Sequence, residues 1–277
     1  MRCLPAVEHA ASGVGALSAA VRGWAVAALD LVFPACCPVC AATLGAGRRD
    51  PLCGACWDGI VRIDPPLCAR CGLPFFVFAD SRSDIDERPG FPGAPGASGS
   101  GAAQTCGPCA AAPPAFDWAR AAGLYAGPLR DAVQRLKFGR RPALARPLAA
   151  LVLEQCAAAM PAGAVLVSIP LGRERERERG FNQAALVAEH VARGLGAPLS
   201  PRWLARPRAT APQTELDAAA RRANVRGAFV ASTAAAGADV VLVDDVLTTG
   251  ATAGECARAL HAVGARSVGV LTVARVL

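Results

Sequence analysis

Four C-x2-C pairs crowd into one stretch of this chain: Cys37/Cys40, Cys53/Cys56, Cys68/Cys71 and Cys106/Cys109. A two-residue spacing lets both thiolates of a knuckle reach one tetrahedral zinc ion at about 2.3 Å. One such pair could be a redox motif, but four in close succession specify metal-held knuckles. Consecutive pairing is expected, with Cys37, Cys40, Cys53 and Cys56 around one ion and Cys68, Cys71, Cys106 and Cys109 around the other. Spacing alone also permits interleaved sets, and Cys36 stands beside Cys37 as an alternative donor. Four thiolates leave no position for water, so zinc would fold the module and carry out no chemistry. Cys3, Cys156 and Cys256 read as small buried hydrophobes or bystanders.

Cysteines arranged for metal rather than disulfides suit a reducing compartment, and a cytoplasmic location is expected. No uninterrupted apolar run reaches the roughly 18–20 residues a membrane span needs, so no membrane insertion is expected. Residues 1–34 read as a helical leader, with Val21, Trp24, Ala25, Ala28, Leu29 and Val32 on one face. Residues 35–110 read as the zinc-knuckle module, interrupted over 79–104 by a flexible Gly/Pro/Ser-rich insertion.

Beyond Phe116 the pattern changes. Strands are predicted over 118–125, 164–169, 240–243 and 267–273, the last three as continuous apolar runs. Helices are predicted over 128–137, 143–159, 182–194 and 251–263. Apolar strands alternating with helices predict an α/β domain over 116–277, a parallel sheet with helices on both faces. Its basic charge is almost all arginine, Lys137 being the only lysine. Residues 118–227 carry 18 basic and 8 acidic residues, a net of +10 that suits a polyanionic ligand, either a phosphorylated small molecule or nucleic acid.

The segment VVLVDDVLTTGAT, residues 240–252, carries the chemistry. In an open parallel sheet, ligands bind beyond the carboxyl ends of the strands, where loops turn into helices. Asp244 and Asp245 close an apolar strand, where adjacent carboxylates are costly unless a cation or a hydrogen-bond donor meets them. Val246, Leu247, Thr248, Thr249, Gly250, Ala251 and Thr252 follow and open a helix. Gly250 permits a tight turn, the threonines offer hydroxyls, and the turn N–H groups make an anion cradle. The segment can thus grip a phosphate and a vicinal diol about a sugar's length apart. No Walker loop is present, because Lys137 lies outside any GxxxxGK[ST] context.

Residues 240–252 resemble the phosphoribosyl pyrophosphate (PRPP) motif of the type I phosphoribosyltransferases. With YAGPLRDAVQRLKFGRR (125–141), SIPLGRERERERGFNQAALVAEHVA (168–192), TAPQTELDAAARRANVRGAF (210–229) and the knuckles, the chain resembles the ComF/GntX family of competence-related, phosphoribosyltransferase-like proteins. The resemblance covers roughly residues 29–277; the 79–104 insertion and the leader depart from it. It implies that Asp244 and Asp245 hold the ribose 2′- and 3′-hydroxyls, with Mg2+, and that the Thr/Gly turn takes the 5-phosphate. The loop after strand 164–169 holds Arg173, Arg175, Arg177 and Arg179, which could meet the pyrophosphate; as plain chemistry RERERER also reads as a self-paired, solvated segment. Gly180, Phe181, Asn182 and Gln183 are its more specific continuation, with Asn182, Gln183 and Arg173 expected at the pyrophosphate. Arg208, Gln213, Thr214, Arg221 and Arg222 fall where this fold carries a lid that excludes water. Arg179 and Lys137 are expected to serve catalysis.

The implied reaction displaces pyrophosphate from C1 of PRPP by a nucleophile, usually a base nitrogen. Mg2+ and arginines would neutralise the leaving group. A competing reading makes the chain a competence factor that binds single-stranded DNA, works with other DNA-uptake proteins, and uses PRPP only as a ligand. Four Trp, one Tyr and nine Phe give it few stacking platforms. His9, His190 and His261 fall in no matching motif and read as structural or surface residues.

Overall fold

The computed structural model describes residues 35–44, 51–75, 104–207 and 223–277. The expected helix over 1–34, the 79–104 insertion but for its last residue, and the expected lid residues Arg208, Gln213, Thr214, Arg221 and Arg222 lie outside the described residues.

A four-stranded parallel sheet organises the larger domain. Its strands are β1 (Trp118–Leu124), β2 (Val165–Ser168), β5 (Asp239–Leu247) and β6 (Ser267–Arg275), in the spatial order β1-β6-β5-β2. A separate two-stranded antiparallel ribbon joins β3 (Leu204–Ala205) to β4 (Val230–Ala231). Helices α1 (Gly54–Asp58) and α2 (Gly107–Ala111) belong to the cysteine-rich region. The sheet domain carries α3 (Gly127–Phe138), α4 (Ala145–Cys156), α5 (Arg173–Arg179), α6 (Gln183–Leu195) and α7 (Ala251–Ala262).

The period of two along each strand sorts the core into two layers. Val241 and Val243 of β5, with Leu271 and Val273 of β6, pack among Leu129, Val133 and Leu136 of α3, Leu148 and Val152 of α4, and Val187 and Val191 of α6. Val240, Leu242, Val268 and Val270 face the other way, onto Cys256, Ala257 and Leu260 of α7. Helices therefore cover both faces, which is why these strands read as unbroken apolar runs. Gly269 lets the ring of Trp118 lie across β6, since a Cβ there would stand 2.2 Å from Trp118 Cζ2.

Three local readings differ from the structure. The helix expected over 143–159 is divided into short 3-10 turns at Pro142–Leu144 and Ala157–Ala159 flanking α4. Strand β5 continues past Val243 through both acids, because β6 keeps pairing with it, Asp244 opposite Thr272 and Leu247 opposite Arg275. RERERER is the helix α5 rather than a loop. Opposite charges stand at i,i+3, Glu174 and Glu176 lie in the first turn and Arg177 and Arg179 in the last, all favourable to a helix, while like charges at i,i+4 oppose it. Gly180 ends it in the left-handed region at φ 81°.

The cysteine-rich region lies against β1. Ile63 N donates to Ala122 O at 3.2 Å, Leu124 N to Val61 O at 2.8 Å, and Ala119 N to Arg70 O at 2.7 Å. On the opposite side of the sheet, Leu166 N donates to Pro198 O and Ser200 N to Leu166 O, both at 2.9 Å. No helix of the described residues is long and apolar enough to cross a membrane.

Candidate functional site

A cavity of about 740 Å3 opens at the carboxyl ends of all four parallel strands. Tyr125 lines it after β1, Ile169, Pro170 and Leu171 after β2, and Thr272 and Val276 from β6 and beyond, while Asp244 to Ala253 supply its floor.

The strand period separates the adjacent acids. Asp245 continues the Val241–Val243 face toward α3 and α6, where Lys137 Nζ meets its Oδ1 at 2.9 Å and Gln183 Nε2 donates to Oδ2 at 3.5 Å. Burial alone would lower the pKa of Lys137, but Asp245 overrides it and holds the ammonium above its ordinary value. The only lysine of the chain thus meets one of the two carboxylates. Asp244 lies toward the other face, and its Oδ1 accepts from the Asp245 N–H at 2.8 Å. Burial, then the neighbouring Asp245 charge, push its carboxyl up to about 7 from 3.8; Lys137 and Arg206 oppose this. Lys137 pairs with Asp245 while the Asp244 carboxyl stays raised, so the acid pair retains a demand for a cation or for hydroxyl donors.

Immediately beyond, Gly250 adopts the left-handed conformation, φ 73°, and starts α7 without a capping side chain of its own. Thr249 Oγ1 accepts from Ala251 N at 3.4 Å, and Gly254 N donates to Gly250 O at 2.7 Å. Thr248, Thr249, Thr252 and the start of α7 face the cavity, which gives it hydroxyls and a helix N-terminus suited to an anion.

Helical rotation divides the arginines of α5. Arg175 and Arg179, four residues apart, line the cavity, whereas Arg173 and Arg177 are exposed and do not. Arg179 stands over the Phe138 ring at 5.0 Å, burial pulling its pKa down while Asp245 opposes. Arg140 Nη2 donates to Glu178 O at 3.0 Å and fastens α5 to the chain after α3. Asn182 spends its amide locally: Oδ1 accepts from Ala184 N and Ala185 N as the N-cap of α6, and Nδ2 donates to Ile169 O at 3.1 Å. Gln183 is 2% exposed and, among the described residues, its Oε1 has no hydrogen-bond partner.

Of the residues expected from sequence, Lys137, Arg179, Asn182, Gln183 and the segment Asp244–Thr252 meet at this cavity, and Arg173 does not. Sequence reasoning missed Tyr125, Phe138, Arg140, Arg206 and Thr272, which also line it. Reading RERERER as a helix would have favoured Arg175 over Arg173 as the partner of Arg179. Arg206 immediately precedes the breaker-rich segment expected as the lid, and its guanidinium lies 5.2 Å from the Phe229 ring.

The cysteines fall into the two consecutive sets, Cys37/Cys40/Cys53/Cys56 and Cys68/Cys71/Cys106/Cys109, the sulfurs of each within 4.8 Å of one another. Cys37, not Cys36, joins the first set. Tetrahedral zinc with bonds of about 2.3 Å requires sulfur–sulfur edges of about 3.8 Å. Cys37–Cys56 at 3.8 Å, Cys40–Cys53 at 3.5 Å and Cys71–Cys106 at 3.6 Å match that requirement. Against the pull of burial, backbone N–H donors of Cys40, Cys53 and Val39 lower Cys37 to about 7, and those of Cys106, Cys71 and Arg70 lower Cys68 to about 6. Burial pushes Cys56 and Cys109 up. The donor set and spacing fit structural zinc.

Residues 182–277 match the family described as phosphoribosyl transferase domain, and residues 28–110 match double zinc ribbon domain. The DNA utilization protein YhgH of Escherichia coli K12 is 33% identical over 252 residues, covering 89% of this chain and 100% of that protein. Competence protein F of Haemophilus influenzae is 33% identical over 235 residues, covering 82% of this chain and 91% of that protein. Competence protein ComFC of Bacillus subtilis is 40% identical over 112 residues, covering 40% of this chain and 44% of that protein. With a double zinc ribbon followed by a phosphoribosyltransferase-like α/β domain, and relatives matched along most of its length, this chain belongs to the ComF family.

Proposed function

We propose that this chain binds PRPP with Mg2+ and transfers its phosphoribosyl group to an acceptor that remains to be identified. The observation that carries this reading is the incompletely neutralised pair Asp244/Asp245, set one turn before the Thr248–Thr252 cradle. A ribose diol on the acids would put the 5-phosphate at the helix N-terminus, where Thr248, Thr249 and Thr252 offer hydroxyls. C1 then faces the remaining cavity. Lys137, whose Nζ lies 2.9 Å from Asp245 Oδ1, would hold that side chain in place as a hydroxyl acceptor. Arg175 and Arg179 lie where pyrophosphate charge would develop as the C1–O bond breaks and the acceptor's bond to C1 forms. Asn182 holds the entry to α6 rather than the ligand. Bound Mg2+ would supply charge neutralisation on the pyrophosphate, and Asp244 and Asp245 are the residues that would hold it. Names of the relatives, DNA utilization and competence, support a role connected with DNA.

Thermal unfolding of the zinc-loaded protein, with and without PRPP and Mg2+, tests this. Ligand at about 100 times its Kd adds roughly 2.7 kcal/mol, a rise of several degrees. No rise at millimolar PRPP would reject the reading.

A second reading is favoured by Phe138, 67% exposed at the cavity mouth beside Arg140, Arg175 and Arg179. An exposed ring with Arg179 over one face suits stacking of single-stranded DNA on the other. Affinity for a labelled oligonucleotide that falls steeply with salt and weakens in Phe138→Ala would favour it.

A further inference from the structure

Arg275, the last residue of β6, is 8% exposed. Among the described residues no carboxylate pairs with it, although a guanidinium so placed needs an anion. Its Nη1 donates to the Cys71 carbonyl at 2.5 Å and its Nη2 to Cys71 Sγ at 3.6 Å, while among the described residues the buried Nε has no partner. Two further arginines stand at the same junction, and among the described residues their side chains donate to no sulfur. Arg70 Nη1 donates to Asp117 O at 3.2 Å, and Arg120 Nη1 donates to Ala119 O at 2.7 Å and Ala69 O at 3.3 Å. Zinc held by four thiolates would carry a net charge of −2, so among the described residues the anion within reach of Arg275 would be the metal–thiolate centre itself. The first tetrad differs. Cys40 is exposed, and among the described residues no cationic side chain donates to its sulfurs.

We propose that Arg275 is the charge partner of the second zinc centre, Cys68/Cys71/Cys106/Cys109, and that through it the metal steadies the strand end walling the cavity. That end is well placed for such a link. Arg275 O accepts from Tyr125 N at 2.7 Å, and Arg275 pairs with Leu247 of β5. Tyr125, Leu247 and Val276 all line the cavity. The proposal rests on zinc filling the second tetrad.

The test uses the full chain, zinc-loaded, with metal counted before release to a chromophoric chelator. The parent should hold two zinc ions and lose them in two phases, the slow one missing in Cys71→Ser. Outer partners of metal ligands are worth about 10–100-fold in affinity. Arg275→Met should therefore speed the slow phase by about that factor and leave the fast phase unchanged, with Arg275→Lys between parent and Arg275→Met. A second readout separates charge pairing from packing. Stripping the metal should lower the thermal midpoint of the parent more than that of Arg275→Met, because only the parent then buries an unpaired cation. An unchanged slow phase, equal acceleration of both phases, or equal midpoint losses overturns the proposal. Should Arg275→Met fail to fold, Arg275→Lys decides, and a parent-like slow phase there overturns it. Fewer than two zinc ions in the parent overturns the zinc reading, and this proposal with it, recognisably by the metal count.

Discussion

Asp244→Asn should make the ligand-free protein more stable and deaf to PRPP. Asn has nearly the same shape and keeps an oxygen to accept the Asp245 N–H, so the fold is spared. What disappears is a half-buried charge beside a buried one. Asp244 is raised in the folded state from 3.8 to about 7, first by burial and then by Asp245. Below about pH 4 the carboxyl is protonated in both folded and unfolded chains and costs nothing. Between about pH 4 and 7 only the unfolded chain ionises, so the penalty grows, and above about 7 it is complete. Three pKa units at 1.36 kcal/mol each give about 4 kcal/mol at pH 8, and about a third of that at pH 5. At 2–4 °C per kcal/mol, the midpoint at pH 8 should rise on the order of 10 °C, with a much smaller rise at pH 5. Scanning calorimetry at the two pH values, with and without PRPP and Mg2+, reads both effects. An unchanged or lowered midpoint at pH 8 would refute the strained acid pair; a parent-like PRPP shift would place the ligand elsewhere.

Lys137→Met strands Asp245, whose side chain is 10% exposed; loss of one partner of such a pair costs on the order of 3–5 kcal/mol in denaturant unfolding, and Asp245→Asn in the same chain should recover most of it. Gly250→Ala forces a side chain into φ 73° and brings a Cβ within 3.3 Å of Phe116; a loss of about 1–2 kcal/mol and a weakened PRPP midpoint shift are expected. Cys53→Ser should remove one zinc ion by metal analysis and melt the first knuckle, leaving the far-UV signal of the α/β domain in place. Gly269→Ala drives a Cβ into Trp118, so tryptophan emission should move toward that of exposed indole.

The cysteine spacing and the apolar runs made both modules legible, because metal geometry and buried parallel strands each leave few alternatives. Residues 240–252 were legible for a similar reason: carboxylates and a glycine turn beside an apolar strand have little structural purpose. Arg173 shows where local reading ran out. Alternating charges look like a solvated coil until they are given a helical pitch, which turns Arg175 and Arg179 one way and Arg173 the other. Lys137 could be singled out as the only lysine, but its pairing with Asp245 depends on how α3 packs on β5. Arg275 and Phe138 carried no signal at all, since their neighbours come from distant parts of the chain.

The contacts of Val61 and Ile63 with β1 have a colloidal consequence. A sheet that ends in bare N–H and C=O groups is a template for another copy of itself. Here β1 is sealed by the segment between the two knuckles, with Arg62 bridged to Gly123, and β2 is sealed by Leu199 bridged to Leu166. The first seal is held in place by cysteines. Loss of metal from that knuckle would therefore unzip one flank of an otherwise intact domain and leave it adhesive, so zinc bound there would guard the chain against association as much as it would hold the shape of its ribbon.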